Sequence, residues 1–240
     1  MNYRKPLSIQ TRTEVDILPA AKERLEWNLP GTLVWGQQTK HFQMTLKRII
    51  DVFIASVLLL VLAVPLVLVA LAIKLDSAGP VFYPHLRVGH NGRRFRMFKF
   101  RSMVVDAEKA KQGLLPLNDT DAPLFKLAAD PRRTRVGRFI RRFSIDEFPQ
   151  LINILQGHMS LVGPRPALPE EAAQYNEDHA YRVVAVPGMT GLWQVSGRSL
   201  LKFEEMVQLD VQYARRWSIW LDLVILLRTV PVILGGKGAY

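Results

Sequence analysis

The sequence predicts a mainly helical α+β protein. A membrane helix lies near the N-terminus, and a small domain with amphipathic surface helices and a short β-hairpin follows it. Three observations carry this expectation. Val52–Ile73 is an uncharged apolar run of 22 residues. Asn91-Gly92 sits between the segments VFYPHLRVG and RRFRMFKFRS, which is a hairpin signal. The remainder alternates between apolar residues at helical spacing and Gly/Pro breakers.

Residues 1–45 show weak periodicity, with Pro6, Pro19 and Pro30-Gly31 as breakers, and are expected to form a loosely ordered N-terminal extension. The next unit, 46–75, holds the apolar run, which as a helix extends about 33 Å at ~1.5 Å per residue. That length places the chain in or on a membrane. No small-residue cleavage site follows the run, so it is not read as a signal peptide. It reads either as one crossing helix or as a bent helix that dips into one leaflet and returns. Pro65 inside the run favours a kink, and basic residues on both flanks (Lys40, Lys47 and Arg48 before, Lys74 and Arg87 after) disfavour exporting either end. Both favour the second reading.

In the third unit, 76–240, Gly79-Pro80 opens an extended stretch into the hairpin. Val104–Gln112 reads as a short helix and Gly113–Pro131 as a long loop. In Thr134–Phe143, Val136, Phe139, Ile140 and Phe143 fall at i, i+3, i+4 and i+7, with Arg135, Arg138, Arg141 and Arg142 between them. This is a cationic amphipathic helix suited to anionic lipid or, equally, a basic face over a core stripe. Ser144-x-x-Glu147 has capping-box spacing, Pro149 suits a helix start, and Phe148, Leu151, Ile152 and Leu155 form a stripe that ends at Gly157. Phe203–Trp217 reads as an amphipathic helix. Trp217–Leu234 is apolar but interrupted by Asp222, Arg228 and Pro231, a poor span whose Trp217 and Trp220 suit headgroup level.

Composition narrows the chemistry. The chain of 240 residues has 32 Lys plus Arg, 21 Asp plus Glu, a formal charge of +11 and no cysteine. Disulfide scaffolds and cysteine-ligated metal sites are thereby excluded, and an anionic partner is called for: nucleic acid, phosphate-bearing substrates or a membrane surface. The interleaving of arginines with core-facing apolar residues and the lack of any reader motif speak against nucleic acid. An adaptor with a basic membrane surface is a further reading. The five histidines show no metal-ligand spacing, and there is no P-loop or GxGxxG. From Arg87 to Arg142 there are 15 Lys or Arg against 5 acids, and this basic stretch leads into Asp146-Glu147 at a helix start. Helix-end N–H groups and arginines can hold phosphates there, although N-terminal capping alone would also explain the acids. Any metal held by acidic oxygens and substrate phosphates would suit Mg²⁺.

Four segments carry a resemblance: KFRSM at Lys99–Met103, RRFSIDEFPQLINILQGHMSLVGPRP at Arg141–Pro166, PGMTGLWQVSGR at Pro187–Arg198, and the closing GKGAY. In order and spacing they resemble the bacterial sugar transferases, the monotopic polyprenyl-phosphate hexose-1-phosphate transferases, from about Lys47 to Tyr240. The departures are Phe148 for a usual Leu, His158 for Asp, and His85 for Gln, of which only His85, near the hairpin, bears on a substrate contact.

The resemblance implies transfer of a sugar phosphate from a UDP-sugar to undecaprenyl phosphate, with release of UMP, at the cytoplasmic face of the bacterial inner membrane. It implies a re-entrant helix, an aspartyl–phosphosugar intermediate on Asp146, Glu147 as its partner acid, and Mg²⁺ held by the two. Substrate-binding positions are expected at Lys99, Arg101, Arg141, Arg165, Arg198 and Asp210. The partners implied are the UDP-sugar, undecaprenyl phosphate and membrane lipid, not nucleic acid. The pathway implied is exopolysaccharide, capsule or O-antigen synthesis, with glucose and galactose as default sugars; the sequence leaves self-association open. A carboxylate is already ionised at neutral pH and needs no base to attack, so its difficulty is repulsion from a diphosphate, which metal and arginines would offset.

Overall fold

The computed structural model describes residues 41–118, 125, 127 and 129–235. The predicted N-terminal extension and the GKGAY ending therefore lie almost wholly outside the described residues, as does part of the loop expected at Gly113–Pro131.

Helix α1, His41–Asp76, starts five residues before the predicted unit, and its 36 residues run unbroken through Pro65. At ~1.5 Å per residue it is about 54 Å long. Among the described residues it is the one helix long and apolar enough to cross a membrane. Lys47, Asp51 and Ala55 recur every fourth residue, and all three are buried. Around them Met44, Ile54, Leu58 and Leu59 pack on the main core. Farther along, Leu66, Val69, Ala70 and Ile73 pack with Phe100 and Ile140. The opposite face leaves Phe53, Leu60, Val61, Val64 and Leu68 exposed. So much continuous apolar surface is what a lipid-facing helix presents.

Strands β1, Phe82–Val88, and β2, Arg94–Phe100, form the expected antiparallel hairpin, with His85 opposite Met97 and Tyr83 opposite Lys99. Asn91 and Gly92 both take positive φ (52° and 73°), as an Asn-Gly turn requires. Helix α2, Ala107–Leu114, lies slightly later than the Val104–Gln112 expectation and runs into a 3₁₀ turn, Leu115–Leu117. Helix α3, Arg135–Arg142, is capped by Thr134, whose hydroxyl accepts from the Gly137 amide at 2.9 Å. Its stripe divides: Ile140 is buried against α1, whereas Phe139 remains exposed.

A 3₁₀ turn, Ile145–Glu147, leads to α4, Gln150–Leu155, after Pro149. Gly157 then takes φ +81°, the left-handed stop that the sequence predicts. Two long side chains tie these elements together. Asn153, fully buried, accepts from Phe98 N–H at 2.9 Å and donates to Arg96 C=O at 2.8 Å, fixing α4 to β2. Arg48 of α1 donates to the Ile154 and Leu155 carbonyls at 2.5 and 2.9 Å, satisfying the end of α4.

The chain continues through β3, Ser160–Val162; α5, Pro169–Ala172; α6, Glu177–Val184; β4, Gly188–Thr190; and α7, Leu192–Ser196. Strands β3 and β4 pair in parallel, a second small sheet that three-residue strands do not announce in sequence. A Cβ at Gly188 would stand 2.0 Å from Gly163 N, so the two backbones approach where only glycine fits. Helix α8, Phe203–Arg216, and helix α9, Ile219–Gly235, complete the fold. Phe95, Met97, Leu151, Ile154, Leu161, Tyr213 and Ile225 make the main core. Trp220 is exposed as a headgroup-level residue would be, but Trp217 is buried and donates its indole N–H to Asp222. Its partner lies one turn into α9, and burial against the core outweighs the interfacial preference.

Candidate active site

The site is built on the reversal between α3 and α4. Ser144 takes φ +55°, a conformation costly for a non-glycine residue and suggestive of a held functional turn. The capping box expected from Ser144 and Glu147 does not form, because an N-cap needs extended backbone and Ser144 is left-handed. Both side chains bond elsewhere. The Ser144 hydroxyl accepts from the Arg198 guanidinium at 2.9 Å, and Glu147 Oε1 accepts from Lys99 Nζ at 2.7 Å. Asp146 and Glu147 thus occupy a 3₁₀ turn preceding α4 rather than the first turn of the helix.

Lys99 reaches this turn from β2. Arg165, on the Gly163-Pro164-Arg165-Pro166 turn after β3, brings a guanidinium nitrogen to 3.6 Å from Glu147 Oε1 and lies over the Trp193 ring, 5.8 Å from its centroid. Arg198, also at positive φ (53°), follows Gly197 at φ +155°. Arg141, in the last turn of α3, adds its positive charge near Asp146. Five elements therefore place Lys99, Arg141, Arg165 and Arg198 around two adjacent carboxylates.

The electrostatics separate the two acids. Burial pushes Glu147 up, but Lys99, then Arg165 and Arg198, outweigh it and hold Glu147 at about 2. For Asp146, burial is the largest effect and raises its pKa; Glu147 adds to the rise, while Lys99, Arg141 and Arg165 counter it. Asp146 is 8% exposed, and no hydrogen bond among the described residues engages its carboxylate. Glu147 is an ionised, paired partner, whereas the Asp146 oxygens accept no hydrogen bond among the described residues. Burial lowers the pKa of Lys99, opposed by Glu147 and Asp146.

Two expected site residues lie apart from this cluster. Arg101 turns back to the end of α1, donating to the Ala78, Ser77 and Ile73 carbonyls and to the Ser77 hydroxyl, so it caps that helix. Asp210 is completely buried in α8. It accepts from Arg182 Nε at 2.7 Å, and Arg182 also donates to the Tyr175 hydroxyl at 2.6 Å. Burial pushes Asp210 up to about 6 against the pull of Arg182 and of the Arg165 main-chain N–H, so Asp210 stands behind Arg165 rather than in the open site. Sequence reasoning missed Arg87, Arg182 and Tyr175. Arg87 counts in sequence as a basic flank, yet it is buried and donates to the Pro166 carbonyl on the Arg165 turn. No local pattern marks it, since its partner lies 79 residues away.

The family model for bacterial sugar transferases matches residues 42–236. The chain is 47% identical over 201 residues to the galactosyl transferase CpsE of Streptococcus agalactiae, covering 83% of this chain and 44% of that protein. It is 45% identical over 206 residues to an undecaprenyl-phosphate galactose phosphotransferase of Salmonella typhimurium, covering 84% and 43% respectively. With the exopolysaccharide production protein ExoY of Rhizobium meliloti it shares 39% identity over 198 residues, 81% of this chain and 88% of ExoY. The chain thus spans less than half the length of the first two relatives and most of the third. A match that takes in α1, the carboxylate turn and every cation around it means that this chain belongs to the bacterial sugar transferase family.

Proposed function

We propose that the chain transfers a hexose-1-phosphate from a UDP-sugar to undecaprenyl phosphate and releases UMP, through a covalent intermediate on Asp146. The observation that carries this reading is the Asp146 carboxylate, buried among cations and meeting no hydrogen-bond donor among the described residues, beside a Glu147 already neutralised by Lys99. The names of the relatives supply the acceptor class, since the Salmonella protein is an undecaprenyl-phosphate galactose phosphotransferase.

In the first step an Asp146 carboxylate oxygen attacks the phosphorus that bears the sugar. The bond from that phosphorus to the bridging oxygen breaks, and UMP leaves with the electron pair. Lys99, Arg165 and Arg198 hold the phosphoryl oxygens and stabilise the charge gathering on UMP. In the second step a phosphate oxygen of undecaprenyl phosphate attacks the same phosphorus. Asp146 is returned as carboxylate, and the lipid carries a diphospho-sugar. Glu147 is ionised at the outset; it would either help to hold a metal or take a proton from the lipid phosphate in the second step. Asp146 and Glu147 also fit Mg²⁺, which keeps several waters and binds through one or two carboxylates plus substrate phosphates. When bound, it would offset the negative charge of the diphosphate.

The test is a donor panel including UDP-glucose and UDP-galactose, assayed for UMP with purified protein and undecaprenyl phosphate. Repeated release of UMP that needs both the lipid phosphate and Mg²⁺ is expected, with no more than one UMP per protein when the lipid is omitted; absence of turnover with every UDP-sugar would end the proposal. The pH profile gives a second check. Asp146 attacks only when ionised, and its pKa is raised, so kcat/KM falls with decreasing pH through a value above the ordinary aspartate one of about 3.9. Lys99→Met removes the largest counterweight and moves this limb further up; a limb at or below the ordinary value counts against Asp146.

We also propose that both ends of α1 face the cytoplasm. Support comes from packing: the first half of the helix lies on the main core and the second on Phe100 and Ile140, and both clusters belong to one domain. A helix crossing to the far side would carry one end away from that domain. Cysteines introduced at His41 and Lys109 of this cysteine-free chain should both resist an impermeant thiol reagent on intact spheroplasts and both react after lysis. Reaction of the His41 site alone before lysis would mean that the helix crosses.

A further inference from the structure

His85, on β1, takes no part in the mechanism above. In the hairpin register His85 faces Met97 and Tyr83 faces Lys99, and side chains two residues apart share a face, so His85, Arg87 and Lys99 project from the same side of β1–β2. The Arg87 guanidinium lies 3.3 Å from His85 Nδ1. A guanidinium can only donate, so Nδ1 is the acceptor, and in the neutral ring the proton is fixed on Nε2. The ring is neutral: burial first, and then the positive charges of Arg87, Lys99, Arg165 and Lys111, hold its pKa at about 3. These charges come from the hairpin, from the turn after β3 and from α2, and the Tyr83 ring lies 5.8 Å away. Among the described residues Nε2–H meets no acceptor, and the atom is not sealed in the interior. His85 is therefore an uncharged N–H donor of fixed tautomer, set among cations that converge on Glu147.

We infer that His85 donates its Nε2–H to a phosphoryl oxygen of a substrate held beside Lys99 and Arg165. The inference rests on the proposed phosphotransfer only for the identity of the phosphate. An uncharged donor adds a directed contact there without a further cation to repel Arg87 and Arg165. The oxygen can belong to the donor diphosphate or to the lipid phosphate, and the experiment separates the two.

The full chain, labelled with ¹⁵N at histidine and held in lipid nanodiscs, is read by two-bond ¹H–¹⁵N spectra, with His85 assigned by its loss in His85→Gln. The expected result at pH 7 is an Nε2–H tautomer whose Nε2 resonance moves on adding UDP or a short-chain isoprenyl phosphate. Movement with UDP assigns the donor, and movement with the isoprenyl phosphate the acceptor. An Nδ1–H tautomer, or a resonance unmoved by both, would overturn the inference. KM for the responding substrate should rise from wild type to His85→Gln to His85→Leu, about tenfold for the last, with kcat little changed. A His85→Leu protein with a lowered melting temperature and wild-type KM would reduce the residue to packing. The spectra need no turnover, so Asp146→Asn keeps the His85 response even where chemistry is lost; an active Asp146→Asn would sink the nucleophile and leave His85 standing.

Discussion

Asp146→Asn abolishes both UMP release and attachment of labelled phosphosugar to the protein, a loss of roughly 10⁴-fold or more, as expected when a covalent nucleophile is removed. The amide has nearly the same shape, so the turn, the Lys99–Glu147 pair and the Arg198–Ser144 bond should survive. Stability is expected to hold or rise slightly, because burial disfavours the charge that the substitution removes. The measurement is incubation with donor radiolabelled at the sugar-bearing phosphate, followed by digestion and peptide mapping. Label on the peptide containing residue 146 in the variant would transfer the role to another residue, with Glu147 next in reach.

Asp222→Ala is expected to cost about 3–5 kcal/mol of stability. The Asp222 carboxylate accepts from Lys47 Nζ at 2.5 Å, Tyr213 hydroxyl at 2.7 Å and Trp217 Nε1 at 3.1 Å, joining α1, α8 and α9 in the protein interior. The Lys47 side chain is 6% exposed. Without its partner, the buried ammonium keeps the Val162 carbonyl at 3.1 Å as its hydrogen-bond acceptor among the described residues, with the buried Asp51 carboxylate as its remaining opposite charge. In nanodiscs the melting temperature should fall on the order of 10 °C. The double variant Lys47→Met, Asp222→Leu should recover part of that, since an apolar pair of similar volume removes the unpaired ammonium, while Asp51, whose pKa burial already raises, loses the opposing charge of Lys47. A single variant that melts within about 2 °C of wild type would mean that water reaches Lys47.

Asp222 also shows how sequence and structure divide the information. In sequence it interrupts an apolar stretch and so argues against a span; what it binds depends on Lys47, 175 residues away, and no local pattern reports that. The hairpin at Asn91-Gly92 and the end of α4 at Gly157 were legible because turn and cap chemistry is local, whereas the helix read as starting at Ser144 begins at Gln150. The Ser144–Glu147 spacing was legible too, and misleading, because tertiary partners outbid the local cap: Arg198 takes the hydroxyl and Lys99 takes the carboxylate. Lys99, Arg141, Arg165 and Arg198 gather at the carboxylate pair as expected. Arg101 and Asp210 show the limit, since their side chains bond to the end of α1 and to Arg182, and only the fold says which way they point.

The two arginine contacts at the extremities of α1 have a consequence for how the chain can vary. Arg48 grips the end of α4 from one extremity, and Arg101 grips the other at Ile73, Ser77 and Ala78. The segment between these grips therefore has a fixed length and phase. Inserting one residue there turns the far end by about 100° and advances it by ~1.5 Å, so one grip or the other must be given up. An ordinary greasy segment tolerates such indels because lipid is indifferent to register. This one behaves as a strut of set length between two points on the same body, so its exposed positions Leu60, Val61 and Val64 should accept exchanges among apolar side chains freely while the stretch rejects any change in residue number.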